Sequence, residues 1–198
     1  MLAGGAASRF GGQAKGLTEV GGRRIIDRLV EVCYEAFGSP PLLVANAPDA
    51  ASWRPELRLV RDVRPGLGAV GGLLTAVIEA PAPVVVVAWD MPFVTAPLLR
   101  ALADGLDGAD ACLPGSDGPR GMEPLCAAYG PACAPAIEAA VAGGDRRAIG
   151  FHDRIRVGIL SGGTLAAFGD PAVLFFNVNT PADGAEAEAL WRIHGSSR

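Results

Sequence analysis

Three groups of residues in this sequence have the types and spacing for chemistry on phosphates. The first is residues 2–16, LAGGAASRFGGQAKG, with five glycines between Gly4 and Gly16, and with Arg9 and Lys15. Glycine loses more chain freedom on ordering than any other residue, so so rich a run forms a loop rather than a helix or strand. Such a loop brings backbone N–H groups close to a ligand, and an array of them binds anions, phosphate above all. Of the 17 Lys and Arg residues, Lys15 is the one lysine. An ammonium on a flexible stem and a planar guanidinium are not interchangeable at a phosphate, so a single lysine kept here points to a role. The competing reading is a flexible terminus. The apolar Leu2, Phe10 and Leu17 speak against it.

The second is Asp90, in WDMPF, directly after the four valines at 84–87. A carboxylate at the end of a buried strand is costly unless it is paired or bound to a metal. Capping the next helix is the ordinary alternative, but the next helical pattern starts near Pro97. A Mg²⁺ ligand is the better reading, because Mg²⁺ takes one or two carboxylates together with substrate phosphates and waters. The third group is asparagine. The chain has three, Asn46, Asn177 and Asn179, and each is expected where a strand ends. Asn177 and Asn179 alternate in FFNVNTP, so they face one way if the chain is extended. Turn capping by Asn competes with a ligand role at all three.

Other chemistries are excluded. The two histidines, His152 and His194, lie far apart and allow no Ser-His-Asp or Cys-His arrangement. Cys33, Cys112, Cys126 and Cys133 contain no C-x-x-C pair, so neither a zinc site nor a disulfide framework is expected. The formal charge of −4 and the 6 % aromatic content give no electrostatic grip or stacking platform for nucleic acid. The apolar run at 81–89 is too short to span a bilayer, and no secretory leader is visible. A cytoplasmic enzyme without nucleic-acid or membrane partners is expected.

The elements that would hold these groups alternate between strand and helix. Helices are expected at 25–37, 68–79, 97–106, 131–142 and 181–194, where apolar residues recur at helical spacing. Strands are expected at 42–45, 57–60, 84–88, 109–113, 124–129, 154–160 and 173–176. Continuous apolar strands between helices mean a mostly parallel sheet covered on both faces. The fold class is α/β, a Rossmann-like three-layer sandwich with mixed strands in its second half, in a single domain over residues 1–198.

The glycine-rich loop fits neither the P-loop nor the dinucleotide fingerprint, since Lys15 is followed by Gly16 and Leu17 and no G-x-G-x-x-G occurs there. It does match the frame L-A-[GA]-G-x-x-x-R-x-G-x-x-K through Leu2, Ala3, Gly4, Gly5, Arg9, Gly11 and Lys15. It thereby resembles the loop of nucleotidyltransferases, and in its A-G-G form most of all that of the molybdenum cofactor guanylyltransferases. The D-M-P triplet at 90–92, the E-P-L at 123–125, the G-D-R-R at 144–147 and the closing N-V-N-T-P at 177–181 resemble that family too.

The resemblance implies transfer of GMP from GTP to molybdenum-loaded molybdopterin, with release of pyrophosphate and Mg²⁺ as cofactor. It implies that Leu2, Ala3 and Gly4 read the base through backbone groups and that Asn46 and Asp62 complete the nucleotide site. Asp90 would hold the metal, Lys15 and Arg9 would meet the phosphates, and Asn177 and Asn179 would contact the pterin. Either Arg146 or Arg147 would be a further contact for the pterin phosphate, and transient contacts with cofactor-insertion proteins and molybdoenzymes would follow. The same residues are compatible with a cytidylyl- or sugar-phosphate nucleotidyltransferase, and with a non-catalytic chaperone that binds nucleotide or cofactor. The family carries an apolar strand ahead of its loop, whereas only Met1 and Leu2 precede it here. The first, central strand is therefore expected to be cut short, with a start upstream of Met1.

Overall fold

The computed structural model of the chain describes residues 1–4, 15–80, 82–116 and 121–195. Residues 1–3 take the central place in its sheet. In chain order they are followed by a one-turn 3-10 helix at Lys15–Leu17 and a hairpin of β1 (Glu19–Val20) and β2 (Arg23–Arg24). Then come α1 (Ile25–Phe37), β3 (Leu43–Val44), α2 (Ala50–Trp53), β4 (Leu59–Val60), α3 (Ala69–Glu79), β5 (Val84–Val87) and α4 (Ala96–Asp104). The second half holds β6 (Ala111–Pro114), β7 (Cys126–Tyr129), α5 (Cys133–Ala142), β8 (Val157–Leu160), α6 (Gly162–Leu165), α7 (Pro171–Leu174) and α8 (Pro181–His194).

β3 and β4 pair in parallel, and β5-β7-β6-β8 form a four-stranded ladder. In that ladder β7 runs antiparallel to both neighbours and β6 runs parallel to β8. Leu2 bridges Val44 and Ala88, in parallel on both sides, and so joins the two ladders into one surface. Short as it is, this segment is hydrogen-bonded on both edges. Leu2 N donates to Val87 O, and Trp89 N to Leu2 O, at 2.8 and 3.1 Å. Across the other edge Ala3 N donates to Val44 O, and Val44 N to Met1 O, at 2.9 and 3.0 Å. Residues 1–3 are buried in the core and deliver Gly4 to the carboxyl edge of the sheet.

Alternation along β5 sends Val87 to a core shared with α1 and α4, and Val86 to one shared with α3 and α5. Each face of the sheet therefore carries its own helical layer. α1 buries Ile25, Ile26, Leu29, Val30 and Cys33 along one stripe and stops at Gly38, whose φ of 68° only glycine adopts without strain. The helices expected at 25–37 and 181–194 have those bounds, and the others agree to within a few residues. One element is corrected. The apolar stretch 173–176 is not a strand: α7 covers Pro171–Leu174, because Pro171 supplies a helical φ and the Asp170 carboxylate caps the turn by accepting from Ala172 N. The hairpin at 19–24 and the one-turn helices α2 and α6 had no periodicity long enough to reveal them.

Thr75 is the one fully buried polar side chain among the described residues. Its Oγ1 donates to Gly71 O at 2.8 Å and accepts from Val63 N at 3.0 Å, tying the loop after β4 to α3. Thr75→Val keeps the shape but strands the Val63 N–H. The expected loss is about 1–3 kcal/mol of unfolding free energy, measured by urea denaturation; an unchanged midpoint would show that this tie is not structural.

Candidate functional site

The carboxyl ends of residues 1–3, β3, β4 and β5 open on one cavity of about 590 Å³. Its walls include Leu2, Gly4, Asn46, Asp62, Asp90, Asn177 and Asn179, which were singled out from five separate stretches of sequence. Ligands of open α/β sheets bind at this edge. Ala3 is buried just beneath, its N–H committed to Val44 O, and it does not line the cavity. Arg9, together with Gly5 and Gly11 of the loop frame, falls outside the described residues.

Asn46 and Asp62 form a reciprocal pair. The Asn46 Nδ2 donates to Asp62 Oδ2 at 2.8 Å, and the Asp62 N–H donates to Asn46 Oδ1 at 2.9 Å. Two short strands thus present one fixed acceptor set. α3 makes room for it: a Cβ on Gly71 would lie 3.1 Å from Arg64 O and 3.3 Å from Asp62 Oδ2. The positive φ values of Gly66 and Gly68 (80° and 63°) shape the turn that leads into that helix.

Asp90 does not cap a helix, since α4 begins after Thr95. Its side chain is 13 % exposed, and Lys15 Nζ lies 3.8 Å from Oδ2. Oδ1 is buried with no hydrogen-bond partner among the described residues. Burial raises the carboxyl above its ordinary 3.8, against the opposing pull of Lys15. A buried carboxylate oxygen without a donor, on a residue that lines the cavity, has the donor chemistry that a hard divalent cation uses. Among the described residues no three His, Cys, Asp or Glu side chains converge, so Asp90 would share such a cation with a ligand's oxygens.

Lys15 reaches this carboxylate on a turn that fits closely over Trp89. A Cβ on Gly16 would stand 2.3 Å from Trp89 Cε3, so glycine at 16 is what lets the lysine backbone approach. Trp89 stacks in turn on Trp53, with ring centroids 4.6 Å apart. The Nζ of Lys15 donates to Asn179 Oδ1 at 2.6 Å. The expectation that Asn177 ends a strand is corrected: it follows α7, and its Nδ2 donates to Phe175 O at 2.8 Å, closing a turn. Both asparagines nevertheless line the cavity. Arg146 and Arg147 do not, and Arg147 is folded onto the Asp145 carboxylate.

Three wall residues went unrecognised or undervalued in the sequence. Trp89 was not singled out, and Met91 stood out only within the D-M-P resemblance. Glu123 stood out only as part of the E-P-L resemblance, and the Tyr129 hydroxyl, donating to Pro124 O at 2.7 Å, fixes the bend that carries it.

Comparison with known proteins agrees with this geometry. Residues 1–155 match the model of the MobA-like NTP transferase domain. The chain is 35 % identical over 191 residues to a probable molybdenum cofactor guanylyltransferase of Pelotomaculum thermopropionicum, covering 96 % of this chain and 91 % of that one. It is 32 % identical to a molybdenum cofactor guanylyltransferase of Desulfosudis oleivorans, with 96 % and 93 % covered. Among solved structures it resembles the molybdopterin-guanine dinucleotide biosynthesis protein A of Archaeoglobus fulgidus, with a TM-score of 0.80, 29 % identity and 97 % of each chain covered.

The Asp90 environment sets a pH dependence. A carboxyl with a raised value in the folded state binds its proton more tightly there than in the unfolded chain. Its contribution to stability is therefore fully present below the ordinary 3.8 and is lost as pH rises through the folded value. In Asp90→Asn without ligands, thermal unfolding followed from pH 4 to 7 should show a shallower decline and, at pH 7, a midpoint equal to or above the parent's. A lower midpoint would mean that the ionised carboxylate stabilises the fold.

Proposed function

The chain belongs to the MobA-like NTP transferase domain family and is a nucleotidyltransferase, and we propose that it transfers GMP from GTP to the terminal phosphate of molybdenum-loaded molybdopterin. An oxygen of the acceptor phosphate attacks the α-phosphorus of GTP. The bond from that phosphorus to the bridging α–β oxygen breaks, and the electron pair leaves with pyrophosphate. The acceptor oxygen is ionised near neutral pH, so no side chain has to act as nucleophile or base. The work left to the protein is alignment and neutralisation of charge.

One observation carries the reading: Lys15 reaches both Asp90 and Asn179, so three distant segments meet beside the cavity that Asp90, Asn179 and the Asn46–Asp62 pair line. Lys15 would meet the phosphate oxygens, and Asp90, with its unpartnered oxygen, would hold Mg²⁺. Bound there, the ion would draw negative charge from the triphosphate and the leaving pyrophosphate. Asp62 is an acceptor whose Oδ1 is not taken by Asn46. That suits the imino and amino donors of guanine better than the acceptor nitrogen of cytosine. The backbone just past Leu2, at residues 3 and 4, would read the same base, and Asn177 and Asn179 would meet the pterin. Among the described residues no helix is long and apolar enough to cross a membrane. A cytoplasmic setting suits the reaction, with the product passing to cofactor-insertion proteins and molybdoenzymes.

Purified protein given GTP or CTP, molybdenum-loaded cofactor and Mg²⁺ should release pyrophosphate and form the guanine dinucleotide with GTP alone. EDTA should abolish turnover and added Mg²⁺ restore it. Incorporation from CTP alone would overturn the choice of base, and turnover that survives EDTA would overturn the metal role. Tight binding of both substrates without pyrophosphate release would make the protein a carrier instead.

A further inference from the structure

Lys15 is a flexible side chain, and among the described residues its Nζ makes one hydrogen bond, 2.6 Å long, to Asn179. What holds Asn179 therefore decides where the ammonium stands. Val178 N donates to Asp90 O at 2.8 Å, which pins the segment to the end of β5 on one side. On the other side stands the capping box of α8. Thr180 Oγ1 accepts from Asp183 N, and Asp183 Oδ2 accepts from Thr180 N at 2.8 Å. An ordinary capping box ends there. Here the same Asp183 oxygen also accepts the N–H of Asn179, again at 2.8 Å.

We propose that Asp183 is a positioning residue for the transfer, acting through Asn179 on Lys15. This rests on the guanylyl-transfer reading given above. Two successive amides bound to one carboxylate oxygen fix the peptide plane at Asn179. That plane sets the direction of the Asn179 Cβ, and the Asn179 carboxamide in turn sets the ammonium beside Asp90. The rest of α8 braces the same segment: Glu188 accepts from Gly21 N at 2.7 Å, and Gly184 lies against Thr18, one residue beyond the Lys15 turn. Asp183 touches no substrate. Its effect is to spare a flexible lysine the conformational entropy it would otherwise lose during the reaction.

The two halves of the capping box separate this role from plain helix capping. Thr180→Ala weakens the cap and leaves the clamp on Asn179. Asp183→Ala removes both, and Asp183→Asn keeps one acceptor oxygen in place. Asp183→Ala should lower kcat about 10- to 100-fold with little change in KM for GTP, the scale expected of a misplacement near 1 Å. Asp183→Asn should stay within about 3-fold of the parent, and Thr180→Ala should match the parent's kcat despite a comparable drop in unfolding midpoint. Asn179→Ala combined with Asp183→Ala should be no slower than Asn179→Ala alone.

A second readout needs no transfer activity. Lys15 is the one lysine in the chain, so its acylation by an amine reagent can be followed by peptide mass spectrometry. That rate should rise several-fold in Asp183→Ala and stay level in Thr180→Ala. Should the alanine variant not fold, Asp183→Ser replaces it, because its short hydroxyl keeps a polar group in the first turn but lacks the reach to hold both amides. Equal effects of the Asp183 and Thr180 substitutions on kcat and on acylation would overturn the proposal. A parent that performs no guanylyl transfer would overturn the functional reading alone, and the acylation rates would still decide the role of Asp183.

Discussion

Three residues hydrogen-bonded on both edges hold this molecule together. Residues 1–3 lie between β3 and β5, and without them the parallel pair β3-β4 and the ladder β5-β7-β6-β8 would be separate sheets. The cavity exists because these strands end at one level, with Gly4, Asn46 and Asp90 each placed just past the end of a segment. Parallel neighbours bring their carboxyl ends together, whereas antiparallel neighbours alternate them. A ligand that needs groups from several strands at once therefore needs the parallel part of the sheet, and residues 1–3 complete it. The antiparallel β7 lies one strand further on. What it brings to the cavity is the bend before it, with Glu123 and Leu125, held by the buried Tyr129 hydroxyl.

Within that frame the dominant physical cost is the buried carboxylate of Asp90. A group kept largely from water, with one oxygen unpartnered and the other nearly 4 Å from a lysine, is poorly compensated in the free protein. Cores do not keep such a residue for stability, since a neutral side chain of the same size would sit there at less cost. It is compensated only when something positive enters. Under the proposed transfer, a cation arriving with the triphosphate would relieve this cost, and the binding of the two would be coupled.

Much of this was legible in the sequence, for reasons that belong to particular residues. The helix at 25–37 declares itself by five core positions at helical spacing and by Gly38 at its end. The valines 84–87 can only be a buried strand. Asp90 stood out because a charge so close to such a strand has few bland explanations. The stretch 173–176 misled because four apolar residues in a row look alike in a strand and in one turn of helix, and the deciding signal, Asp-Pro at 170–171, lies outside the run. Asn177 was misplaced by the same error and still reached the cavity. The Asn46–Asp62 pair spans 16 residues, and no local pattern predicts such a contact.

The lysine shows how far local rules carry and where they stop. Its singularity in the composition and its glycine neighbour are both visible in the sequence. The reasons they matter are tertiary: the tryptophan that a Cβ at position 16 would strike, and the asparagine 164 residues away that takes the ammonium. The capping signature Thr-x-x-Asp at 180–183 is equally plain, and a local reading stops at a helix start. Only the position of α8 against the turn that carries Lys15 makes one of its two carboxylate contacts bear on the site. A motif that is merely structural in isolation bears on the cavity when the residue it fixes is also the acceptor for a flexible lysine beside it. If Asp183 positions Asn179 as proposed, a side chain that satisfied the helix alone would not satisfy the site.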